Sequence, residues 1–326
     1  MVKKASLIVI CIFIISFSIV LQIDRKIQNK EKQKTQLIEP LLRGVSEKPL
    51  EIPILEDEEV PVENKITKKP APVKIVRDLN LITAEAYMVV NLETGEIYLK
   101  QNIDKIFPIA SLSKLFTALI VEHIMDKNQK ITITQSMLDS YGDAGNLVLN
   151  DKLTPQELLY PLLLESSNDA AEALAQSSNY SEFINSMNSF AKEIGMNSTS
   201  FRDASGLSSS NVSNVNDLFT LSKYLYDNER SILDITKQKS MTLSTTTDHG
   251  YYYFESINPF VVYEPFIGGK TGRTSQAKES MISLFNYKST KSASTTIPVS
   301  VIILRSEFNE REMDTEKILG ELDKKI

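Results

Sequence analysis

Cysteine is almost missing from this chain. Cys11 is the only one in 326 residues, so no internal disulfide can form and no cysteine-rich metal site can be built. Histidine is nearly as scarce: His123 and His249 are too few for a multi-histidine metal cage. Positive charge is in deficit too, with a net charge of −6 where a nucleic-acid binder would show a basic footprint. No internal repeat breaks the chain into modules. What remains is an ordinary globular composition, 42% hydrophobic and 24% charged, compatible with one or two domains.

Long apolar runs are also few, and one of them sits at the N-terminus. Residues 5–23 are apolar and preceded by Lys3 and Lys4, and about 20 such residues cross a bilayer. This segment, residues 1–23, reads as a signal or transmembrane anchor. No A-x-A pattern follows it, so an uncleaved anchor is expected. Bulky Ile10 before Cys11 argues against a lipid-modified cysteine. Arg25, Lys26, Lys30, Lys32 and Lys34 outnumber the lysines ahead of the run, and a count of positive charges alone would keep the rest of the chain in the cytoplasm. Residues 24–78 are charged and proline-containing, as in Glu56-Asp57-Glu58-Glu59-Val60-Pro61 and Lys68-Lys69-Pro70-Ala71-Pro72. They read as a solvated linker; about 55 residues of flexible coil span roughly 40 Å.

Folded structure is expected over residues 79–326. Residues 84–90 and 96–99 read as strands joined by the turn Glu93-Thr94-Gly95. Helices are expected from Ser111 to about Met125, then over 155–164, 169–175, 180–194 and 216–226. A β-rich stretch follows at 270–274, 280–287 and 297–304, and a last helix at about 309–322. Strands at both ends around a helical middle predict an α+β domain: an antiparallel sheet that pairs its first and last segments, with a helical cluster.

Ser111 and Lys114 stand three residues apart at the start of the first expected helix. Positions i and i+3 share a helix face, so the amine can reach the hydroxyl and make a nucleophile with its base. The spacing alone is weak, because Ser189-Lys192 and Ser275-Lys278 repeat it. Ser166 and Asn168 form an S-x-N pair in a short break between two helical patterns. Ser177-Asn179, Ser186-Asn188 and Ser256-Asn258 share that spacing. Lys270-Thr271-Gly272 occurs once, after Gly268-Gly269 and at the start of an expected strand. There Gly272 would let a ligand approach the backbone. A histidine base is disfavoured: His123 lies three turns beyond Ser111 on the same helix, and His249 falls in a turn-like segment. Lysine must then be the base, which requires burial or a neighbouring positive charge to lower its pKa; Lys270 would supply the charge.

S-x-x-K, S-x-N and K-T-G in that order mark the penicillin-binding proteins and serine β-lactamases. The flanks, Ile109–Leu119, Leu162–Ala171 and Gly269–Thr274, closely resemble the low-molecular-mass D-alanyl-D-alanine carboxypeptidases of serine peptidase family S11. So do Phe201–Leu207 and the hairpin around Thr94-Gly95. The chain departs from the family at Ser167, where glycine is usual, and at Lys278, which replaces a glycine common near the strand start. The resemblance implies a DD-peptidase-like domain and a hydrolase that cleaves a terminal D-Ala-D-Ala bond of the peptidoglycan pentapeptide. Ser111 would form the acyl-enzyme while Lys114 takes its proton, and Ser166 and Asn168 would relay protons and orient the substrate. Lys270 and Thr271 would hold the terminal carboxylate, with Gly272 and Thr274 lining the same strand. The backbone N–H groups of Ser111 and Arg273 would form the oxyanion hole. No metal or organic cofactor is implied, and β-lactams would be covalent inhibitors.

Three other readings stay open. A DD-endopeptidase would use the same chemistry on cross-links. A β-lactamase is the least favoured, since Ser167 replaces the aspartate of its S-D-N triad and no E-x-x-L-N segment lies between Asn168 and Lys270. A membrane-tethered penicillin-binding or sensing protein would keep the fold with little turnover. Because cross-linked peptidoglycan lies outside the cytoplasmic membrane, the substrate overrides the charge count. The expected place is a bacterial cell membrane, with one span and the catalytic domain on the extracytoplasmic side.

Overall fold

Residues from the two ends of the folded region build one antiparallel sheet. The computed structural model describes residues 82–142, 144–288 and 296–325; the apolar run and linker lie outside them. Among the described residues no helix is long and apolar enough to cross a membrane. The sheet has strands β1 (Ala86–Asn91), β2 (Ile97–Gln101), β3 (Phe266–Thr274), β4 (Lys278–Lys288) and β5 (Thr296–Ser306). Their order is β2-β1-β5-β4-β3. The last strand therefore pairs directly with the first, Met88 opposite Ile302 and Val90 opposite Ser300, as the two-ended strand pattern predicts.

The sheet is covered on both faces, which is why its central strand carries the apolar run Val301–Leu304, with both alternating sets of side chains buried. Alternation sorts the side chains. Met88, Val90, Ile282, Leu284, Ile302 and Leu304 join the core shared with the helical cluster. Val89, Met281, Phe285, Val299, Val301 and Ile303 point the other way, against Ile318 and Leu322 of the C-terminal helix.

Seven helices matter here: α1 (Ser113–Ile124), α2 (Pro155–Leu164), α3 (Asn168–Gln176), α4 (Tyr180–Glu193), α5 (Val215–Asn228), α6 (Arg230–Thr236) and α7 (Arg311–Lys325). Helix α1 is buried around its circumference from Ser113 to Val121. Leu115, Phe116, Ala118, Leu119, Ile120 and Val121 are all buried, so it runs through the middle of the cluster. Helix α2 starts where a capping box demands: Glu157 N donates to Thr154 Oγ1 at 3.2 Å and Thr154 N to Glu157 Oε2 at 2.7 Å, with Pro155 in the first turn. Helix α6 and the hairpin pairing residues 240–243 with 252–255 were not anticipated. Both are short, and they are held by tertiary contacts: Ile232 and Leu233 are buried in the helical core.

Candidate active site

The chain enters α1 through a tight turn. Ala110 takes a left-handed φ of 50°, and a 3-10 turn over Ala110–Leu112 hands over to the helix. A left-handed non-glycine residue is strained, and it aims the next side chain, half-buried Ser111, out of the regular helical path. Lys114 follows in the first turn of α1. Because that helix is buried all round, the lysine goes in with it, to 0% exposure. Its Nζ donates to Ser111 Oγ at 3.1 Å, to Asn168 Oδ1 at 2.7 Å and to the Ser205 carbonyl at 2.6 Å.

Burial penalises the ammonium form and pulls the Lys114 pKa down to about 7, against the opposing pull of the Asp203 and Glu172 carboxylates. The cause is thus desolvation; the expected help from a charged Lys270 is not among the causes. Lys270, 1% exposed, is itself held well below its ordinary value, first by burial and then by Lys114 and Arg311. At neutral pH a substantial fraction of Lys114 is a free amine within hydrogen-bond reach of a hydroxyl, which is the arrangement of a general base beside a nucleophile.

The break between α2 and α3 carries the S-x-N pair. Ser166 sits at φ 62° and Asn168 opens α3. Asn168 is doubly committed: its Oδ1 accepts from Lys114, and its Nδ2 donates to the Tyr141 carbonyl at 2.6 Å. Ser167, where the family favours glycine, is fully buried and caps α3 by accepting from Ala170 N at 3.1 Å. Its side chain fits because glycine stands opposite. A Cβ on Gly145 would lie 2.6 Å from Ser167 Oγ and 2.9 Å from its Cβ.

Strand β3 brings Lys270, Thr271 and Gly272 alongside. What approaches Gly272 closely is the Ser111 turn itself, since a Cβ there would fall 2.9 Å from the Ile109 carbonyl oxygen and 3.2 Å from Ser111 N. Lys270 Nζ donates to the Thr271 carbonyl at 2.9 Å, and both side chains are buried. Arg273 is exposed, with its guanidinium 5.1 Å from the Phe308 ring centre and 3.4 Å from the buried carboxylate of Glu279. Thr274 Oγ1 accepts from Ala277 N at 3.0 Å in the turn to β4. Lys278 begins β4 at φ 52°, which explains why glycine is usual there. Its ammonium is 2.6 Å from Glu307 and 3.6 Å from Glu85.

The competing patterns fall elsewhere. Ser189 and Lys192 are exposed on α4, and Ser275 lies in the β3–β4 turn. His123 packs against Phe190 with ring centres 4.7 Å apart and planes tilted by 44°, and His249 is buried in a turn with its Nδ1 2.7 Å from the Gly250 carbonyl. Sequence reasoning missed the partners from the backbone: the carbonyls of Ser205 and Tyr141. The first had a signal. Asp203 accepts from Ser205 N at 2.9 Å and Ser208 N at 2.6 Å, which makes Asp203-Ala204-Ser205-Gly206 a side-chain-stabilised turn.

This geometry defines a serine nucleophile with a buried lysine base beside an antiparallel sheet covered on both faces, and comparison narrows it. Residues 73–300 match the family model of peptidase S11, D-alanyl-D-alanine carboxypeptidase, and the chain belongs to that family. A D-alanyl-D-alanine endopeptidase of Haemophilus influenzae is 39% identical over 145 residues, 43% of this chain and 50% of that one. The D-alanyl-D-alanine carboxypeptidase DacF of Bacillus subtilis is 28% identical over 203 residues, 60% of this chain and 52% of that one. The chain thus spans about half the length of these curated relatives. Among solved structures, the ampicillin-bound penicillin-binding protein D2 of Listeria monocytogenes is 30% identical. It has a TM-score of 0.63, covering 75% of this chain and 98% of that one. The Streptomyces K15 DD-transpeptidase is 26% identical with a TM-score of 0.67, covering 74% and 97%.

Proposed function

We propose that this protein is a serine-type D-Ala-D-Ala carboxypeptidase that trims peptidoglycan stem peptides through an acyl-enzyme on Ser111. The observation that carries this is the buried Lys114 amine, 3.1 Å from Ser111 Oγ with its pKa near 7. Neutral Lys114 takes the hydroxyl proton as Oγ forms its bond to the carbonyl carbon of the penultimate D-Ala. The backbone N–H groups of Ser111 and Arg273 face the developing oxyanion, each such donor contributing about 3 kcal/mol. Collapse breaks the C–N bond and the proton passes to the departing amine, with Ser166 and Asn168 relaying and orienting. Water then attacks the ester and gives its proton to Lys114; collapse breaks the C–Oγ bond, the proton returns to Ser111 Oγ, and the shortened peptide leaves as its acid. Lys270 and Thr271 hold the terminal carboxylate, and that anion favours the charged form of Lys270. Gly272 and Thr274 complete the strand along which the peptide lies.

An endopeptidase acting on cross-links is the second reading, favoured by the 39% and 36% identity to relatives named D-alanyl-D-alanine endopeptidase. One experiment addresses both. Purified protein and Ser111→Ala are incubated with fluorescent penicillin, then with defined muropeptides. Label on the wild type alone, with pentapeptide monomers shortened to tetrapeptides, is the expected result. Dimers split to monomers instead would select the endopeptidase, and no label on folded wild type would sink both.

The substrate also argues for placement. We propose a single N-terminal membrane anchor with the catalytic domain outside the cytoplasmic membrane of a bacterium, because that is where cross-linked peptidoglycan lies. A C-terminal reporter that works only outside the cytoplasm is expected to be active; activity of a cytoplasm-only reporter would overturn the placement.

A further inference from the structure

Glu165 precedes Ser166, and the peptidase chemistry proposed above makes no use of it. Its carboxylate nevertheless bridges two segments on either side of the Ser166 turn. Oε2 accepts from Gly145 N at 2.8 Å, and Oε1 accepts from Glu255 N at 3.1 Å. On the hairpin side the hold is reinforced by Ile257 N, which donates to the Leu164 carbonyl at 3.0 Å. On the Gly145 side it leads to the reacting groups. Gly145 packs against Ser167, and four residues before it the Tyr141 carbonyl accepts from Asn168 Nδ2 at 2.6 Å. Asn168 Oδ1 in turn accepts from Lys114 Nζ at 2.7 Å.

We propose that Glu165 is a positioning residue. By tying Gly145 and Glu255 to the Ser166 turn, it holds the Tyr141 carbonyl against Asn168 and so keeps Asn168 on the Lys114 amine. An asparagine amide is free to rotate unless both ends are engaged. One end is fixed by Lys114, and the other is fixed only if Tyr141 stays in place. Ser166 itself, at φ 62°, holds a conformation that its surroundings must impose. A carboxylate can do this where an amide cannot do it fully, because both of its oxygens accept and both face N–H groups.

The inference rests on the reading of Ser111 as the nucleophile, and the test separates the two. Penicillin acylation is followed at saturating and sub-saturating concentrations for wild type, Glu165→Gln and Glu165→Ala, with thermal midpoints recorded alongside. The saturating rate is expected to fall in that order, by a few fold for Gln and by about 10- to 100-fold for Ala. Initial penicillin affinity should change less than twofold, because no Glu165 atom is assigned to substrate. A part that merely supported the fold would lower the midpoint and leave the saturating rate at low temperature untouched. A Glu165→Gln enzyme that acylates at the wild-type rate overturns the proposal, whether or not the Ala variant folds. Wild type that folds but takes no label removes the nucleophile reading and this inference with it.

Discussion

Lys114 shows how a single side chain is tuned by the residues around it. The packing that buries six apolar side chains of α1 buries the amine as well, and the resulting loss of hydration brings its pKa to about 7. The amine acts as a base only when neutral, so the penicillin acylation rate should rise with pH through about 7 and level off above it. Lys114→Arg, which stays charged throughout, should lower the rate by about 10²- to 10⁴-fold at every pH. A flat wild-type profile between pH 6 and 8 would contradict this assignment. Residue identity also accounts for the two departures from the family pattern. Ser167 puts an N-cap hydroxyl where glycine is usual, and Gly145 opposite makes the room. Lys278 accepts a left-handed φ and places its ammonium against Glu307 and Glu85. Neither side chain hydrogen-bonds to Ser111, Lys114 or Asn168.

Among elements, the contact that matters most is between β3 and the turn before α1. A strand can lie this close to another backbone only where a side chain is missing, and Gly272 supplies that gap. Gly272→Ala would set a methyl carbon 2.9 Å from the Ile109 carbonyl oxygen. The strand must then retreat and carry Lys270 and Thr271 away from Ser111. A loss of about 100-fold in acylation is expected, with secondary structure retained. An alanine variant that acylates normally would show that the turn, and not the strand, gives way. The sequence reading placed this glycine correctly on a strand but assigned the close approach to a ligand. Period-two patterning says which residues share a strand face, and it carries no information about what packs there.

At the scale of the whole molecule, the sheet joins residues far apart in sequence. Its closure is tied by a fully buried carboxylate on α7: Asp314 accepts from Thr83 N at 2.9 Å and from Thr83 Oγ1 at 2.7 Å. Asp314→Ala would leave the Thr83 N–H without its partner and take the shared acceptor from the Thr83 and Ser306 hydroxyls next to the β1–β5 pairing. A loss of roughly 3 kcal/mol is expected, read as a lowered denaturation midpoint. The active-site bonds lie on the helical side of the sheet, so the acylation rate of the folded variant should be close to wild type. A variant as stable as wild type would mean that α7 is held by its apolar face alone.

The elements with strong periodicity were legible without coordinates. Helix 155–164 matches its expected limits, and the pairing of the first and last strands follows from strands at both ends. Ser111, Lys114 and Asn168, which hydrogen bonds join in the fold, were legible from three motifs in a fixed order and from the resemblance of their flanks, since each spacing alone recurs elsewhere in the chain. Short elements such as α6 and the 240–255 hairpin were not, since they lack the length to show a period and owe their form to packing. The same limit applied within the site. Side chains that meet across a helix turn are determined by sequence spacing. Only the tertiary structure could decide that the Ser205 and Tyr141 carbonyls complete the polar shell of Lys114 and Asn168. Backbone carbonyls are chemically identical at every residue, and which of them faces a buried amine depends on how the whole chain closes around it.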